Sequence, residues 1–198
     1  MARMREPRFK QCRRLGLNVY GHPKAMNRAK RGTSRADRKL STYGEQLLEK
    51  QRLRTYYNVS EKQFSKYVKD ALAGQGNTGE VLVQRLETRL DNLVYRAGFA
   101  NSIRQARQIV VHGHILLNGK KVDRPSFKVA VGDVLTLRDR SKKIDMFTAN
   151  FQEIATGVSY IEKDVDKLTA KLVKMPAREE VPVQIQDQLI VEFYSRKL

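Results

Sequence analysis

Apolar positions along this chain change their spacing from one stretch to the next, and that change predicts its parts. Residues 1–40 show no sustained period: Phe9, Leu15, Leu17, Val19 and Tyr20 are scattered among cations. Taken alone such a stretch buries too little to fold, and it is expected to order on something anionic. From residue 41 a helical period begins. Thr42 followed by Glu45 has capping-box spacing, and Leu40, Leu47 and Leu48 start an apolar stripe, predicting a helix over 43–57. Ser60 with Gln63 opens a second helix to about 73, with Phe64, Tyr67, Val68, Ala71 and Leu72 inward. The GQGNTG stretch, Gly74 to Gly79, breaks it. Leu82, Leu86, Leu90, Leu93, Val94 and Ala97 then recur in steps of three and four, one buried helical face that Gly98 ends.

Ser102 and Gln105 form a third capping signal, and the helix SIRQARQIVVH stops at Gly113. At 100° per residue Ile103, Ala106, Ile109 and Val110 share one arc, while Arg104, Gln105, Arg107, Gln108 and His112 occupy the other. ILLNGKKV reads as two short strands around Asn118-Gly119, the strongest two-residue hairpin signal. VAVGDVLTLR predicts a further strand pair turning at Gly132-Asp133. Beyond it a helix is expected near 143–156, with Ile144, Phe147, Phe151 and Ile154 spaced for burial, and short strands around 168–174 and 188–194. Pro176 and Pro182 argue against long helices there. The pattern is that of an α+β chain.

Charge sharpens this picture. The 198 residues carry 39 Lys+Arg against 21 Asp+Glu, a formal net charge of +18. Residues 1–40 hold 13 basic and 2 acidic side chains, and residues 85–143 hold 13 and 5. Residues 41–84 are near neutral, and 144–198 carry 7 and 9. Two segments thus contain the whole excess, which points to a polyanionic partner. No apolar run approaches the roughly 18 residues of a membrane helix, and the first 20 residues hold no signal-peptide core. The single cysteine, Cys12, makes neither an internal disulfide nor, alone, a cysteine zinc site. A soluble protein of a reducing compartment is expected. Walker, H-E-x-x-H, G-x-S-x-G and nucleotide-binding glycine motifs are absent.

The string RLDNLVYRAGFANSIRQARQIVVHGHILLNGKKVDRPSFKVAVGDVL resembles the RNA-binding module named after small-subunit ribosomal protein "S four". STYGEQLLEKQRLRTYYNVSEKQF at 41–64 resembles the helical block ahead of that module in bacterial S-four proteins. LIVEFYSR at 189–196 is similar to their C-terminus, and PRFKQCRRLG near the start fits their opening. The resemblance covers nearly the whole chain. It implies a basic N-terminal extension (1–40), a discontinuous, mainly helical domain (41–87 plus 144–198), and an inserted module (88–143) of helices packed on a short antiparallel sheet. It further implies a structural component of the small ribosomal subunit, resident in the cytoplasm on the ribosome. Family members bind 16S ribosomal RNA directly and early, nucleate the subunit body, contact the neighbouring protein "S five" and with it affect decoding accuracy. Some also repress their own messenger RNA. No cofactor, metal, membrane or homo-oligomer is expected.

Many relatives carry four cysteines near the N-terminus that bind zinc. Here the first of these positions is Phe9, the second is Cys12, and no cysteine follows. Zinc needs about four ligands, so the chain is expected to fall in the zinc-free branch, with Cys12 buried against RNA or the domain.

RNA binding of this kind is chiefly phosphate neutralisation with counterion release, which the arginine fork suits. The candidates in the module are Arg104, Gln105, Arg107, Gln108, His112, His114 and Lys120. In the helical block they are the cationic turn Lys50, Gln51, Arg52 and Arg54, then Gln63 and Lys66. At the N-terminus they are Arg3, Arg5, Arg8, Lys10, Arg13, Arg14, Lys30, Arg31 and Arg35. Contacts to shape and backbone are expected to outweigh base reading. Arg89-Leu90-Asp91 resembles the R-L-D of pseudouridine synthases, but no catalytic domain surrounds it, and Asp91 is expected to make an ion pair with a nearby arginine. An RNA-modifying enzyme and a free regulatory paralogue stay open as alternatives.

Overall fold

The structure is a computed structural model that describes residues 6–29, 32, 34, 36–37 and 39–195. Among these residues the order is α1 (Arg8–Leu15), α2 (Thr42–Tyr56), α3 (Glu61–Leu72), α4 (Thr78–Glu87), α5 (Leu90–Arg96), α6 (Ile103–Val111), β1 (Ile115–Leu117), β2 (Lys120–Lys121), β3 (Val134–Leu137), α7 (Asp139–Lys142), α8 (Asp145–Glu153), β4 (Ile161–Asp164), β5 (Thr169–Leu172), a 3₁₀ turn (Arg178–Glu180) and α9 (Asp187–Ser195). The chain forms two compact units, 1–82 with 183–198, and 83–182.

In the first unit α2 begins where the Ser41 side chain accepts the Gly44 N–H at 3.3 Å, one residue earlier than the Thr42 cap expected. Ser60 caps α3 through the Gln63 N–H. The N-terminal stretch, expected not to fold alone, holds a small core instead. Cys12, Leu15, Val19 and Ala25 are buried with Leu48 of α2, and Phe9, Leu17 and Tyr20 pack around them. Burying such a side chain is worth about 1.5–3 kcal/mol for a Val or Leu, so even a few anchor the segment on its neighbour.

QLIVEFY, expected as a strand over 188–194, is helical within α9. Its buried residues Ile190, Phe193 and Tyr194 step by three and four, and they cover α2 and α3. Gln46 Nε2 donates to Glu192 Oε2 at 3.0 Å, and Tyr43 lies 5.5 Å from the Phe193 ring. A short apolar run suits strand and helix equally, and the available partner decided.

The second unit carries a five-stranded antiparallel sheet in the order β2-β1-β3-β5-β4. Asn118 (φ 49°) and Gly119 (φ 76°) both sit in the left-handed region, as a type I′ hairpin turn requires. Asn118 Oδ1 also accepts the Val134 N–H at 2.9 Å, fastening the turn to β3. The strand pair expected across Gly132-Asp133 is half right. The turn exists, but Val129 gives its N–H to Thr88 O, and β3 takes β1 and β5 as neighbours. The expected helix near 143–156 is α8, and β5 fills the strand expected at 168–174; β4, not expected, pairs with it.

The helix read through 82–97 is interrupted. Arg89 is extended (φ −69°, ψ 140°), and the Leu90 and Asp91 N–H groups bond Phe127 O and Pro125 O. The apolar period survives the break because Leu86, Leu90 and Leu93 are all buried on either side of it. The compact units also divide the chain differently from the boundaries expected. Residues 144–182 lie in the unit of the module, since β5 pairs with β3 (Val134 with Lys171, Leu135 with Ala170), and only 183–198 lies with 1–82.

Candidate nucleic-acid interface

α6 is set by Ser102, whose hydroxyl accepts the Gln105 N–H, and by Ile103, Ala106, Ile109 and Val110 on its buried face. That orientation leaves Gln108 and His112 exposed and Arg104 half-buried. Gln105 is engaged locally: its Oε1 accepts the Asn101 N–H at 2.8 Å. Arg107 differs from expectation. It is largely buried, with Nη1 3.5 Å from Asp91, so its charge is partly committed to the fold.

The turn after α6 gathers cations. Gly113 has φ 71°, and a side chain there would run into the methylenes of Lys121. His112 is exposed, and its ring lies 6.0 Å from that of His114. His114 Nδ1 is 2.9 Å from Ser141 Oγ, its ring packs 5.0 Å from Phe147, and its carbonyl accepts the Arg138 N–H. Burial, then the neighbouring His112 and Arg138, hold the His114 imidazole below its usual range. The lowered range favours the neutral, hydrogen-bonding ring of His114, and Lys120 stands exposed on β2.

Two acids of this unit, Glu87 and Asp91, are turned inward, while Asp123, Asp139, Asp145, Glu153, Glu162, Asp166 and Glu179 are exposed. Arg89 grips Asp91 through two bonds, Nε–Oδ1 3.0 Å and Nη2–Oδ2 2.7 Å, with both side chains 1% exposed. Burial pushes the Asp91 carboxyl up against the pull of Arg89 and Arg107. Glu87, fully buried, receives Arg96 at 2.8 Å and the hydroxyl of Tyr160 at 2.8 Å; burial and this carboxylate raise the Tyr160 hydroxyl far above its usual range. Asp91 is therefore a structural ion-pair partner, as expected, and not an open carboxylate. Lys121 stands exposed beside Lys120 on the hairpin, and exposed cations outside the expected site are Arg124, Lys128, Arg138, Arg140 and Lys143. The only signal for them was the excess charge of 85–143; no periodicity marks residues on turns.

In the first unit Arg8, Lys10, Arg14 and Lys66 are exposed, and Arg13, Gln51 and Gln63 half-buried. The cationic turn over 50–54 is not the open patch expected. Lys50 is 6% exposed, 2.8 Å from Glu61 and 4.8 Å over the Phe193 ring. Arg52 bonds Glu49 at 2.6 Å and donates twice to Leu15 O. Arg54 Nη1 is 3.1 Å from Glu61 Oε2. Against the upward push of burial, Lys50, Tyr194 and Arg54 keep the Glu61 carboxyl below its usual range. The Glu49–Arg52 pair has the i,i+3 spacing of a single helix and was open to sequence, whereas Glu61 reaches Lys50 and Arg54 from α3 and was not. Arg3, Arg5, Lys30, Arg31 and Arg35 lie outside the described residues.

Cys12 does not suit zinc. It is fully buried among apolar side chains, its thiol is 3.8 Å from Asn18 Oδ1, and burial raises its pKa. Among the described residues no group of three or more His, Cys, Asp and Glu could hold an ion, and no described helix is long and apolar enough to cross a membrane.

One unit exposes cations around the turn after α6, and the other exposes Arg8, Lys10 and Arg14, surfaces of the kind that suits a polyanion. Residues 88–135 match the S4 domain family, and residues 3–87 match the ribosomal protein S4/S9 N-terminal domain family. The chain is 56% identical to the small ribosomal subunit protein uS4 of Finegoldia magna, covering 99% of this chain and 100% of that one. It is 53% identical to uS4B of Clostridium acetobutylicum and 43% identical to uS4 of Limosilactobacillus reuteri, with the same coverage. The chain belongs to the bacterial uS4 family of small ribosomal subunit proteins.

Proposed function

We propose that this chain is a structural, non-enzymatic component of the small ribosomal subunit that binds 16S ribosomal RNA early and nucleates assembly of the subunit body. The observation that carries this reading is full-length similarity to relatives named small ribosomal subunit protein uS4. The outward cations of the second unit support it. The RNA contacts proposed are Arg104, Gln108, His112, His114 and Lys120, with Gln105 and Arg107 at the edge of that surface. Lys121 and Arg138 flank the same α6–β1 turn and extend the set. Arg8, Lys10, Arg13, Arg14, Gln63 and Lys66 form the contacts of the first unit, with Gln51 and Arg54, both half-buried, at its edge. Lys50 and Arg52 serve mainly to hold the helices. A contact with protein "S five", an effect on decoding accuracy and repression of its own message follow from the same reading, and the protein acts on cytoplasmic ribosomes.

The enzyme reading has little support, since an aspartate 1% exposed between two arginines has no access to a uridine. Sedimentation of cell extract tests the proposal. The chain should co-migrate stoichiometrically with small subunits in moderate salt, and migration only with free RNA or soluble protein would refute it. Binding of the purified chain to 16S fragments without metal should weaken by about 10³–10⁵ between 50 and 200 mM salt if six to ten phosphates are neutralised.

A further inference from the structure

Of the seven phenylalanines, five are buried, Phe9 is half-buried, and Phe127 alone is exposed, at 38%. An exposed apolar side chain by itself is ordinary; the setting of this one is not. Arg124-Pro125-Ser126-Phe127 forms a tight turn closed by the Phe127 N–H on Arg124 O at 3.0 Å, and Pro125 at its second position presets the backbone for it. The turn is pinned to the start of α5 by two further bonds, Leu90 N–H to Phe127 O at 2.9 Å and Asp91 N–H to Pro125 O at 3.1 Å. Both backbone groups of Phe127 are therefore spent, and its ring stands on a fixed support. Residues 120–128 carry four cations, Lys120, Lys121, Arg124 and Lys128, all exposed, against one exposed acid, Asp123. The turn also adjoins the candidate interface, because Asp91, held to it through Pro125, is the carboxylate that Arg107 of α6 reaches at 3.5 Å.

We propose that Phe127 is a stacking platform for one unpaired base of the bound RNA, with Arg124 and Lys128 neutralising the phosphates that flank it. On the RNA reading above, this adds contact with one base to a surface otherwise built on charge. Every base has a π-face, so a phenyl ring accepts any of them, but only a base splayed out of its helix reaches it. The phenyl group offers no hydrogen bond, so the platform selects an unpaired base and not its identity. A ring fixed by its turn loses little freedom on stacking, which preserves most of the worth of the contact. The four surrounding cations make nucleic acid a better match than an apolar protein surface, since it satisfies ring and charges together.

The chain contains no tryptophan, so F127W in the full-length protein places a single fluorophore at the platform. A 16S fragment with unpaired junction bases should quench its emission saturably, whereas a fully paired duplex of equal length, which offers phosphates but no free base, should not. F127A should weaken binding of the same fragment about 5- to 150-fold, the worth of one stacked base by truncation. Its salt slope should match that of the parent, while K128Q should lower the slope by about 0.7–0.9. V173A, at a residue equally exposed at 38%, should bind as the parent does. If F127A folds poorly, the F127W emission still carries the test. If the fragment binds by gel shift with F127W emission unchanged and F127A as tight as the parent, the platform is refuted and the RNA reading stands. Emission that responds to small-subunit proteins and not to RNA refutes it too, in favour of a protein contact. If single-stranded oligonucleotides of unrelated sequence quench F127W while no 16S fragment binds at any salt, the platform stands and the ribosomal reading falls.

Discussion

Asp91→Asn is the sharpest perturbation, because Asp91 is where an ion-pair role and a catalytic role diverge. Arg89 is 1% exposed, and Asp91 accepts two of its N–H groups at 3.0 and 2.7 Å. Removing one partner of a buried pair costs about 3–5 kcal/mol. Asparagine keeps one acceptor oxygen, so the lower end, about 3 kcal/mol, applies. For a chain of this size about 2–4 °C accompany each kcal/mol, giving a fall in Tm of about 6–12 °C by circular dichroism. The double variant R89M/D91N, which removes the stranded cation as well, should lose less than the two single variants added together, since residues in one buried pair are coupled. A D91N variant within 2 °C of the parent would refute the structural assignment. Asp91-dependent pseudouridine in incubated rRNA would reinstate the catalytic one.

Other outcomes follow from the same geometry. His114 has a folded pKa below its unfolded value near 6.5, so it stabilises the fold above that pH, and this stability is lost as pH falls through the depressed folded value. Urea unfolding at pH 7.5 and 5.5 should show a larger loss for the parent than for H114N, and equal losses would refute the burial argument. E61Q should destabilise by about 1–3 kcal/mol in urea, since it strips a buried Lys50 of its carboxylate while Glu61 itself is partly exposed. The parent should also weaken below pH 4.5, where Glu61 protonates in the unfolded chain first, and E61Q should lose that acid dependence. K120Q/K121Q should leave unfolding stability within about 0.5 kcal/mol of the parent. Its log-affinity salt slope for 16S fragments should fall by about 0.7–0.9 per phosphate contact removed, and an unchanged slope would take β2 out of the interface.

The amphipathic helices were legible from residue order alone. Ser60 and Ser102 announce α3 and α6, and Asn118-Gly119 announces the β1–β2 hairpin, because capping and turn chemistry act within three or four residues. The exposed half of the candidate site was legible for the same reason: Gln108, His112 and Lys120 are what remains once the apolar arc of α6 and the alternation of β1 turn inward. Lys50, Arg52, Arg54 and Arg107 read as open cations and are largely paired: Glu49 meets Arg52 one turn away on α2, while Glu61 and Asp91 reach Lys50, Arg54 and Arg107 from other helices, which local spacing does not reveal.

The +18 charge, its concentration in residues 1–40 and 85–143, the lone cysteine and the full-length family pattern are properties of residue order, and they were enough to indicate an anionic partner and an α+β chain. Where each charge points was not. QLIVEFY carries the same apolar count as helix or strand, and became α9 because α2 and α3 offered it a face. Arg54 carries one charge in either reading, but only packing anchors it on Glu61. Periodicity is a local property of the backbone, whereas pairing and burial depend on residues brought together from distant parts of the chain.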